Sequence, residues 1–306
     1  MKIKKIAGIL FAGVLVFTAA GCSAITIDGE GGNDSSTSGG NGSIGLSVST
    51  LNNPFFVSLS EGAKEKAKEE NVDLIVVDAG DDAAKQASDV EDLVSKNISV
   101  LIVNPVDSDA VAPAVKDAVA KGIKVISVDR VVNNVDIDCA IASDNVEGAK
   151  MATEYLVSLI GEGAKTAELE GVPGASATID RGAGFHEVAD EKLKVVSKQT
   201  ANFSRSEGMS VMENMLQANS DIQGVFAHND EMALGAVEAI GNRKIVVVGF
   251  DATDDAVTAV SNGKMAATVA QKPDLMGATA VETAIKLVAG ESLEKEIPVE
   301  VELITK

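Results

Sequence analysis

From residue 44 onwards, short apolar runs alternate with amphipathic stretches, and this alternation strongly constrains the fold. Strand-like runs rich in Val and Ile lie at 44–49, 73–78, 99–103, 123–128, 137–142, 165–170, 194–198, 223–227, 244–249, 266–270 and 298–304. Helical patterns fill most of the gaps, for example at 55–70, 82–95, 107–121, 145–160, 206–218, 229–240, 253–262 and 273–289. Unbroken apolar strands are typical of parallel sheets covered by helices on both faces. Because one open sheet rarely exceeds about ten strands, the pattern predicts an α/β protein with two doubly wound parallel-sheet lobes and a cleft between them.

The first 43 residues show a different composition. Residues 1–21 read as a lipoprotein signal peptide, in which three lysines precede an apolar run at 6–20 that is short for a membrane-spanning helix. The stretch AAGC at 19–22 resembles a bacterial lipobox, so we expect Cys22 to be lipidated and to anchor the protein outside the cytoplasm. The alternative is that the segment is an ordinary secretion signal and that Cys22 stands there by chance. Residues 22–43, rich in Gly, Ser and Asp, are predicted to form a flexible linker.

The charge and the cysteine count exclude several classes of protein. The chain of 306 residues carries a formal net charge of −20, with 46 acidic and 26 basic residues. A nucleic-acid partner or an anionic membrane surface would favour a basic footprint, so we expect neither. Cys139 is the second of only two cysteines, which predicts no disulfide once Cys22 is lipidated. Its apolar strand context indicates a small buried side chain.

Polar residues follow many of the predicted strands. They are Ser49, Asp78, Asn104, Asp129-Arg130, Glu170, Asn229-Asp230, Asp251 and Gln271. Ligands of open α/β sheets bind at the carboxyl ends of the strands, so these positions are candidates for a binding site. Each residue has a simpler interpretation as a helix cap or turn residue, which we expect to hold for Asp78 and Asn104. Arginine and glutamine are poor caps, so Arg130, Arg181 and Gln271 require another explanation.

Two adjacent aromatic residues, Phe55 and Phe56, directly follow the first predicted strand. The chain has eight Phe, one Tyr and no Trp, so such a pair is conspicuous. Neighbouring helical residues point about 100° apart, so both rings cannot face one core. A hydrophobic staple at the helix start is one interpretation. With Asn53 beside the pair, an aromatic wall next to an amide also suits a sugar, which has an apolar C–H face and a rim of hydroxyls.

In sequence, the chain resembles bacterial substrate-binding proteins of ABC sugar importers, in particular their ribose-binding members. The resemblance runs from residue 44 to 306 and rests on the motifs STLNNPFF at 49–56, NPVDSDAV at 104–111, DR at 129–130, IASDN at 141–145, RGAGF at 181–185, NDEMALGA at 229–236, VVGFD at 247–251 and AATVAQ at 266–271. It implies two lobes joined by a three-strand hinge with crossings near 143, 271 and 300. The N-terminal lobe would cover 44–143 plus 272–299, and the C-terminal lobe 144–271 plus 300–306.

The same resemblance implies a set of sugar contacts. The expected ligand-binding residues are Asn53, Phe55, Phe56, Asp129, Arg130, Arg181, Phe203, Asn229, Asp251 and Gln271, with Ser49 and Ser143 near the site. Phe55, Phe56 and Phe203 would sandwich the ring, and the polar residues would hold its hydroxyls. The expected partners are D-ribose or a similar neutral sugar, the membrane subunits of an ABC permease and, as a further candidate, a chemoreceptor. The chain departs from the family's usual residues at Ile179-Asp180, directly before Arg181, and at His228, directly before Asn229.

The sequence does not favour two other classes of function. An enzyme is not expected, because the chain has no dinucleotide loop, phosphate loop or nucleophile elbow. His186 and His228 do not form a metal-ligand pattern with Cys139, so neither a metal nor a cofactor is predicted. A sugar-responsive transcription regulator would carry a helix-turn-helix where this chain has its signal and linker. The same scaffold binding allose, another pentose or a sugar-like signal remains the principal alternative.

Overall fold

The structure, a computed structural model, describes residues 42–306 as two six-stranded sheets covered by helices. The predicted signal peptide, Cys22 and all but the end of the linker lie outside the described residues. The strands are β1 Ile44–Val48, β2 Leu74–Asp78, β3 Val100–Val103, β4 Lys124–Val128, β5 Cys139–Ser143, β6 Lys165–Glu170, β7 Lys194–Thr200, β8 Gly224–Ala227, β9 Val246–Asp251, β10 Ala267–Ala270, β11 Glu296–Val299 and β12 Glu302–Thr305. The first sheet has the order β11-β5-β4-β3-β1-β2, and the second has the order β12-β10-β9-β8-β6-β7.

Helices cover both faces of each sheet. They are α1 Pro54–Glu69, α2 Ala83–Ser95, α3 Ala112–Ala120, α4 Asn145–Ile160, α5 Ser176–Lys192, α6 Arg205–Ala218, α7 Asp230–Ile240, α8 Asp254–Ser261 and α9 Pro273–Val288. In the first lobe, α1 and α9 cover one face of the sheet, and α2 and α3 cover the other. In the second lobe, α6, α7 and α8 lie opposite α4 and α5. The prediction of two doubly wound α/β lobes is therefore confirmed.

The prediction of one continuous strand at 298–304 is wrong. The structure divides it into β11, which pairs with β5 in the first sheet, and β12, which pairs with β10 in the second. The β12 pairing is antiparallel, whereas the other ladders are parallel. The chain leaves the second sheet along β10 and returns to the same edge directly from the first sheet. Two neighbouring strands that carry the chain in opposite directions must pair antiparallel.

The third helix begins later than predicted. The pattern at 107–121 predicted a helix throughout, but α3 starts at Ala112. The Asp107 carboxylate accepts hydrogen bonds from the backbone N–H groups of Asp109 and Ala110 at 2.9 and 2.8 Å, which holds residues 107–110 in a turn. Short polar side chains compete with the helix in this way by bonding to nearby N–H groups.

Each lobe has its own apolar cores. No helix among residues 42–306 is long and apolar enough to span a bilayer. Cys139 is completely buried in the core of the first lobe, among Ile126, Ile141 and Val299. It therefore occupies the place of a small apolar side chain, as predicted. The chain passes between the two sheets after β5, β10 and β11, so the lobes are connected at three points. The carboxyl ends of the parallel strands in both lobes lead into the loops that line the space between the sheets.

Candidate ligand-binding site

A small cavity lies between the two lobes. All ten predicted ligand-binding residues line it together with one further residue: Asn53, Phe55, Phe56, Asp129, Arg130, Ala177, Arg181, Phe203, Asn229, Asp251 and Gln271.

The aromatic pair forms one wall at the start of α1. The rings of Phe55 and Phe56 meet edge to face, with centroids 5.1 Å apart and an interplanar angle of 86°. Asn53 caps the helix, because its Oδ1 accepts a hydrogen bond of 2.9 Å from the N–H of Phe55. Both rings pack on the core of the first lobe and also face the cavity, so the expectation that the two rings could not share one core is wrong. The helix start thus serves as a structural staple and as a cavity wall at once.

Arg130 lies between aromatic rings of the two lobes. Its guanidinium carbon is 5.0 Å from the Phe56 ring centroid and 5.2 Å from that of Phe203. Nη1 donates a hydrogen bond of 2.8 Å to the carbonyl of Pro105, and Nε lies 3.6 Å from Asp129 Oδ2. Both distances are within the range of a favourable cation–π interaction.

Asn104 behind the cavity is not the helix cap or turn residue that was predicted. Its Oδ1 accepts a hydrogen bond from the N–H of Ser49 at 3.1 Å, and its Nδ2 donates to the carbonyl of Val128 and to Asp129 Oδ2 at 3.1 and 3.2 Å. The side chain is completely buried. It therefore connects the ends of three strands and orients the Asp129 carboxylate, a role that its position before a predicted helix concealed.

Asp78 is also not a helix cap, since α2 is capped by Asp82. Its carboxylate accepts hydrogen bonds from the N–H groups of Leu51 and Gly80, at 3.2 and 2.9 Å, and thereby shapes the loops after β1 and β2. The turn interpretation of Asp78 is therefore correct.

Arg181 enters the cavity from α5 and is held by several groups of the second lobe. Its Nε donates to Asn145 Oδ1 at 2.8 Å, and its Nη1 donates to the carbonyl of His228 at 2.6 Å. The guanidinium lies over the Phe250 ring at 3.9 Å, and Nη1 is 3.7 Å from Asp251 Oδ1. Only 3% of the residue is exposed, so its orientation is set by these contacts and not by solvent.

Asp251, which lines the cavity, has a carboxylate with a strongly raised pKa. Burial raises its pKa to about 7, the nearby charge of Asp129 adds to the increase, and Arg181 opposes it. Gln271, at the crossing after β10, donates a hydrogen bond of 2.7 Å to Asp251 Oδ1. Burial also raises the pKa of Asp129, against the influence of Arg130. A ligand that donates hydrogen bonds to these carboxylates would favour their ionised forms.

Three of the residues that line the cavity have a left-handed or otherwise positive φ. These are Asp129 at 65°, Phe203 at 59° and Asp251 at 127°. Such angles are uncommon for residues other than glycine, and most uncommon for a bulky side chain such as Phe. Strain of this kind often accumulates at functional sites, where the surrounding structure holds it in place.

Several buried polar atoms at the cavity have no hydrogen-bond partner within residues 42–306. They are Asp129 Oδ1, Arg130 Nε and Gln271 Oε1. Leaving such groups unpaired costs about 1–3 kcal/mol each. Two acceptors and one donor are thus available beside the aromatic walls. A ligand carrying several hydroxyl groups matches this set, because each hydroxyl both donates and accepts.

The other residues singled out in the sequence do not line the cavity. Ser49 and Ser143 are buried beneath it, Ile179 is 56% exposed, and Asp180 is half-buried on the outer part of α5. His228 is fully buried, and its Nε2 lies 3.0 Å from Glu168 Oε1. Over the described part of the chain, no group of His, Cys, Asp or Glu could hold a metal ion.

Sequence reasoning missed three residues around the site: Ala177, Asn145 and Glu168. Ala177 lines the cavity directly, Asn145 binds Arg181, and Glu168 lies beneath His228. A small apolar residue and a helix-start Asn carry no distinctive signal. Glu168 could have been noticed as a carboxylate inside an apolar strand, where an ionisable side chain needs a partner.

Two α/β lobes that enclose a small polar cavity, with aromatic walls and no metal site among the described residues, have the architecture of a two-lobed solute-binding protein. The chain belongs to the periplasmic binding protein domain family, whose model matches residues 44–292. This confirms the resemblance to substrate-binding proteins that the sequence motifs indicated.

Individual relatives agree with this assignment. The ribose import binding protein of Bacillus subtilis is 51% identical over 265 residues, which cover 86% of this chain and 87% of the relative. The protein of the same name from Escherichia coli is 48% identical over 267 residues, covering 86% and 90%.

Solved structures show the same architecture. The Caulobacter myo-inositol binding protein bound to myo-inositol has a TM-score of 0.83 and 31% identity, covering 88% of this chain and 94% of the other. A periplasmic solute binding protein of Actinobacillus succinogenes with bound D-allose has a TM-score of 0.81 and 32% identity, covering 87% and 98%.

Proposed function

We propose that this protein captures D-ribose in the cavity between its lobes and delivers it to an ABC permease. The observation that carries the proposal is that all ten residues expected to contact the sugar line one small cavity. The relatives from Bacillus subtilis and Escherichia coli named for ribose import support this choice of ligand.

The charge of the site supports a neutral polyol. Two carboxylates, Asp129 and Asp251, are balanced by the guanidinium groups of Arg130 and Arg181, so the formal charge of the set is zero. A phosphorylated or acidic sugar would favour surplus positive charge. Carboxylates and guanidinium groups can each address two neighbouring hydroxyls, and such charge-assisted bonds contribute about 1.5–3 kcal/mol each. The aromatic rings would cover the C–H faces of the sugar.

Another neutral sugar is the second candidate, since structural neighbours hold D-allose and myo-inositol. Calorimetry with D-ribose, D-allose, other pentoses and myo-inositol separates the two. We expect D-ribose to bind most tightly, with Kd in the micromolar range or below, equivalent to about −8 kcal/mol or a more favourable value. No heat with D-ribose but clear heat with another sugar would reject ribose as the ligand. Recovery of the sugar unchanged after long incubation is also expected, because we propose binding without catalysis.

We further propose that the sugar closes the two lobes about a hinge. Residues 44–143 and 272–299 would move as one body, and residues 144–271 and 300–306 as the other, with the crossings near 143, 271 and 300 absorbing the rotation. A ligand that contacts both bodies favours the closed state and thereby signals occupancy to a permease. Solution scattering should show a smaller radius of gyration at saturating D-ribose. An unchanged curve would count against closure.

The location of the protein follows from its N-terminus in this proposal. Cys22 would carry a lipid that holds the protein at the outer side of the cell membrane, near the permease and any chemoreceptor partner. The Cys22→Ala variant should therefore fractionate with the medium or periplasm. Continued fractionation of that variant with membranes would show another anchor.

A further inference from the structure

The two lobes are also joined by direct hydrogen bonds at a place that does not line the cavity. The N–H of Ser108, in the first lobe, donates to the carbonyl of Gly174 in the second at 2.9 Å. The N–H of Ser176 donates to Ser108 Oγ at 3.3 Å, and Ser176 Oγ accepts from the N–H of Val131 at 3.0 Å. The two serines are buried, and none of the four residues lines the cavity.

A loop on the first lobe shapes this contact. The carbonyl of Ser108 accepts a hydrogen bond of 2.9 Å from the N–H of Asn133, which connects the loop after β3 to the loop after β4. The Asp107 carboxylate is fixed by its bonds to the N–H groups of Asp109 and Ala110. The first lobe therefore presents a preorganised surface to the start of α5.

Gly174 is the point of closest approach. A Cβ at this position would lie 1.8 Å from Asp107 Oδ2 and 2.4 Å from its Cγ, so while the lobes are in contact an alanine fits only if the Asp107 side chain moves, which would disturb its bonds to the N–H groups of Asp109 and Ala110. The φ of Gly174 lies outside the left-handed region, so the backbone itself does not require glycine. The requirement comes from the opposite lobe.

We propose that Ser108, Gly174 and Ser176 form a latch that stabilises the contact between the lobes independently of the sugar. These residues are positioning residues, because they make no contact with the cavity. The inference rests on the proposed function in one respect: the sugar binds the state in which the lobes are together. When the binding-competent state is a minor population, the apparent affinity falls in proportion to that population.

A latch of this kind has a distinctive consequence. It scales the affinity for every sugar by the same factor. A residue that contacts the sugar instead changes the affinity for one sugar relative to the affinity for another. The ratio of two dissociation constants therefore separates a latch residue from a contact residue.

The experiment measures the dissociation constants of D-ribose and of a second, weaker sugar from the panel by calorimetry. Ser176→Ala removes one interlobe hydrogen bond and should weaken both sugars about 3- to 10-fold. Gly174→Ala should weaken the binding of both sugars by about an order of magnitude or more, because the added methyl group hinders contact between the lobes. The ligand-free melting temperatures should remain near that of the parent protein.

Matched controls are available in the second lobe. At Gly182 an added Cβ would meet its neighbours at 3.5 and 3.8 Å, which is ordinary contact, so Gly182→Ala should retain affinity. Ser158 Oγ donates within its own helix, so Ser158→Ala should also retain affinity. Unchanged affinity in Gly174→Ala, or weakening of one sugar without the other, would overturn the latch.

A readout without sugar distinguishes failure of the latch from failure of the ligand assignment. The double variant Ser108→Cys/Ser176→Cys should form a disulfide under mild oxidation. The two single variants are the controls, because they show whether an introduced cysteine pairs with the native Cys22 or Cys139. Adding Gly174→Ala should slow this crosslink. Equal crosslinking rates with and without Gly174→Ala would reject the latch, whether or not D-ribose is the ligand.

Discussion

The guanidinium of Arg181 donates a hydrogen bond of 2.6 Å to the backbone carbonyl of His228. This bond attaches a side chain of α5 to the end of β8, and Asn145 accepts from the same guanidinium at 2.8 Å. The planar group therefore enters the cavity in one orientation, with its face on Phe250. A rigid fork of this kind binds hydroxyls with little further loss of freedom.

The Arg181→Lys variant tests this orientation. Lysine keeps the positive charge beside Asp251 but lacks the fork that reaches both Asn145 and His228. We expect the variant to fold and to lose at least about 2 kcal/mol of binding free energy for D-ribose. Calorimetry gives the affinity, and thermal unfolding checks the fold.

Arg243→Lys provides the matched control, because Arg243 lies after α7, donates to the carbonyl groups of Ala239 and Ile240 at the end of that helix, and does not line the cavity. That control should bind normally. If a folded Arg181→Lys protein bound D-ribose with parental affinity, the assignment of Arg181 as a ligand contact would be wrong.

Asp251 makes binding depend on pH. Burial raises its pKa to about 7, so the carboxyl is partly protonated near neutrality in the ligand-free protein. The folded pKa lies above the unfolded value, so the associated stability is present at low pH and is lost as pH rises from about 4 to about 7. Sugar hydroxyls that donate to Asp251 lower its pKa, so binding near pH 6.5 should release protons.

Calorimetry in two buffers of different ionisation enthalpy measures this release. At pH 6.5 the binding enthalpies should differ between the buffers, and at pH 8.5 they should agree because Asp251 is already ionised. Asp129, whose pKa burial also raises, would act in the same direction. Identical enthalpies in both buffers at pH 6.5 would contradict the prediction.

Much of the site could be predicted because the fold converts a sequence position into a place in space. In a parallel sheet, the residue after each strand lies at the same edge, so Asp129 after β4 and Asp251 at the end of β9 converge on the space between the lobes. The strand pattern therefore located polar residues without any knowledge of their contacts. The family resemblance then added Phe203, which no strand end marks.

The remaining features depend on contacts between elements that are distant in sequence. Asn104 precedes a predicted helix, and nothing local shows that its amide binds strand ends 24 and 55 residues away. The run 298–304 reads as one strand, because apolar alternation does not show that the chain changes sheets at Glu300 and Val301. Side-chain networks and sheet membership are tertiary properties that local pattern does not encode.

The buried pair of Glu168 and His228 makes a second, opposite contribution to the pH dependence of stability. Burial lowers the pKa of His228, against the effect of Glu168. The folded pKa lies below the unfolded value of about 6.5, so this stability is present above pH 6.5 and is lost as pH falls below it. Glutamine can donate to Glu168 without titrating.

The His228→Gln variant should therefore lose less stability than the parent protein between pH 7 and pH 5. Thermal unfolding of both proteins across this range measures the effect, and Asp251 cancels because it titrates in both. Parallel curves for the two proteins would show that His228 does not titrate as inferred. Affinity for D-ribose should change little at pH 7, since the carbonyl that binds Arg181 belongs to the backbone.

Phe203 allows the backbone strain at the site to be measured. Its φ is 59°, which costs an L-residue about 1–2 kcal/mol but is readily adopted by glycine. Phe203→Ala and Phe203→Gly both remove the ring that faces Arg130 and the cavity. Both should therefore lose affinity, on the order of 1–2 kcal/mol. The glycine variant should nevertheless be more stable than the alanine variant by about 1 kcal/mol, because it alone relieves the left-handed φ.

Urea unfolding of the two variants gives this difference directly. The control is Ala183→Gly on the exposed face of α5, where φ is helical and glycine should instead destabilise by about 1 kcal/mol. The change in unfolding free energy from alanine to glycine is thus expected to have opposite signs at positions 203 and 183. The loss of ring packing does not affect the comparison at position 203, because both variants lack the ring. A Phe203→Gly protein less stable than Phe203→Ala would mean that the left-handed backbone at this position carries no strain.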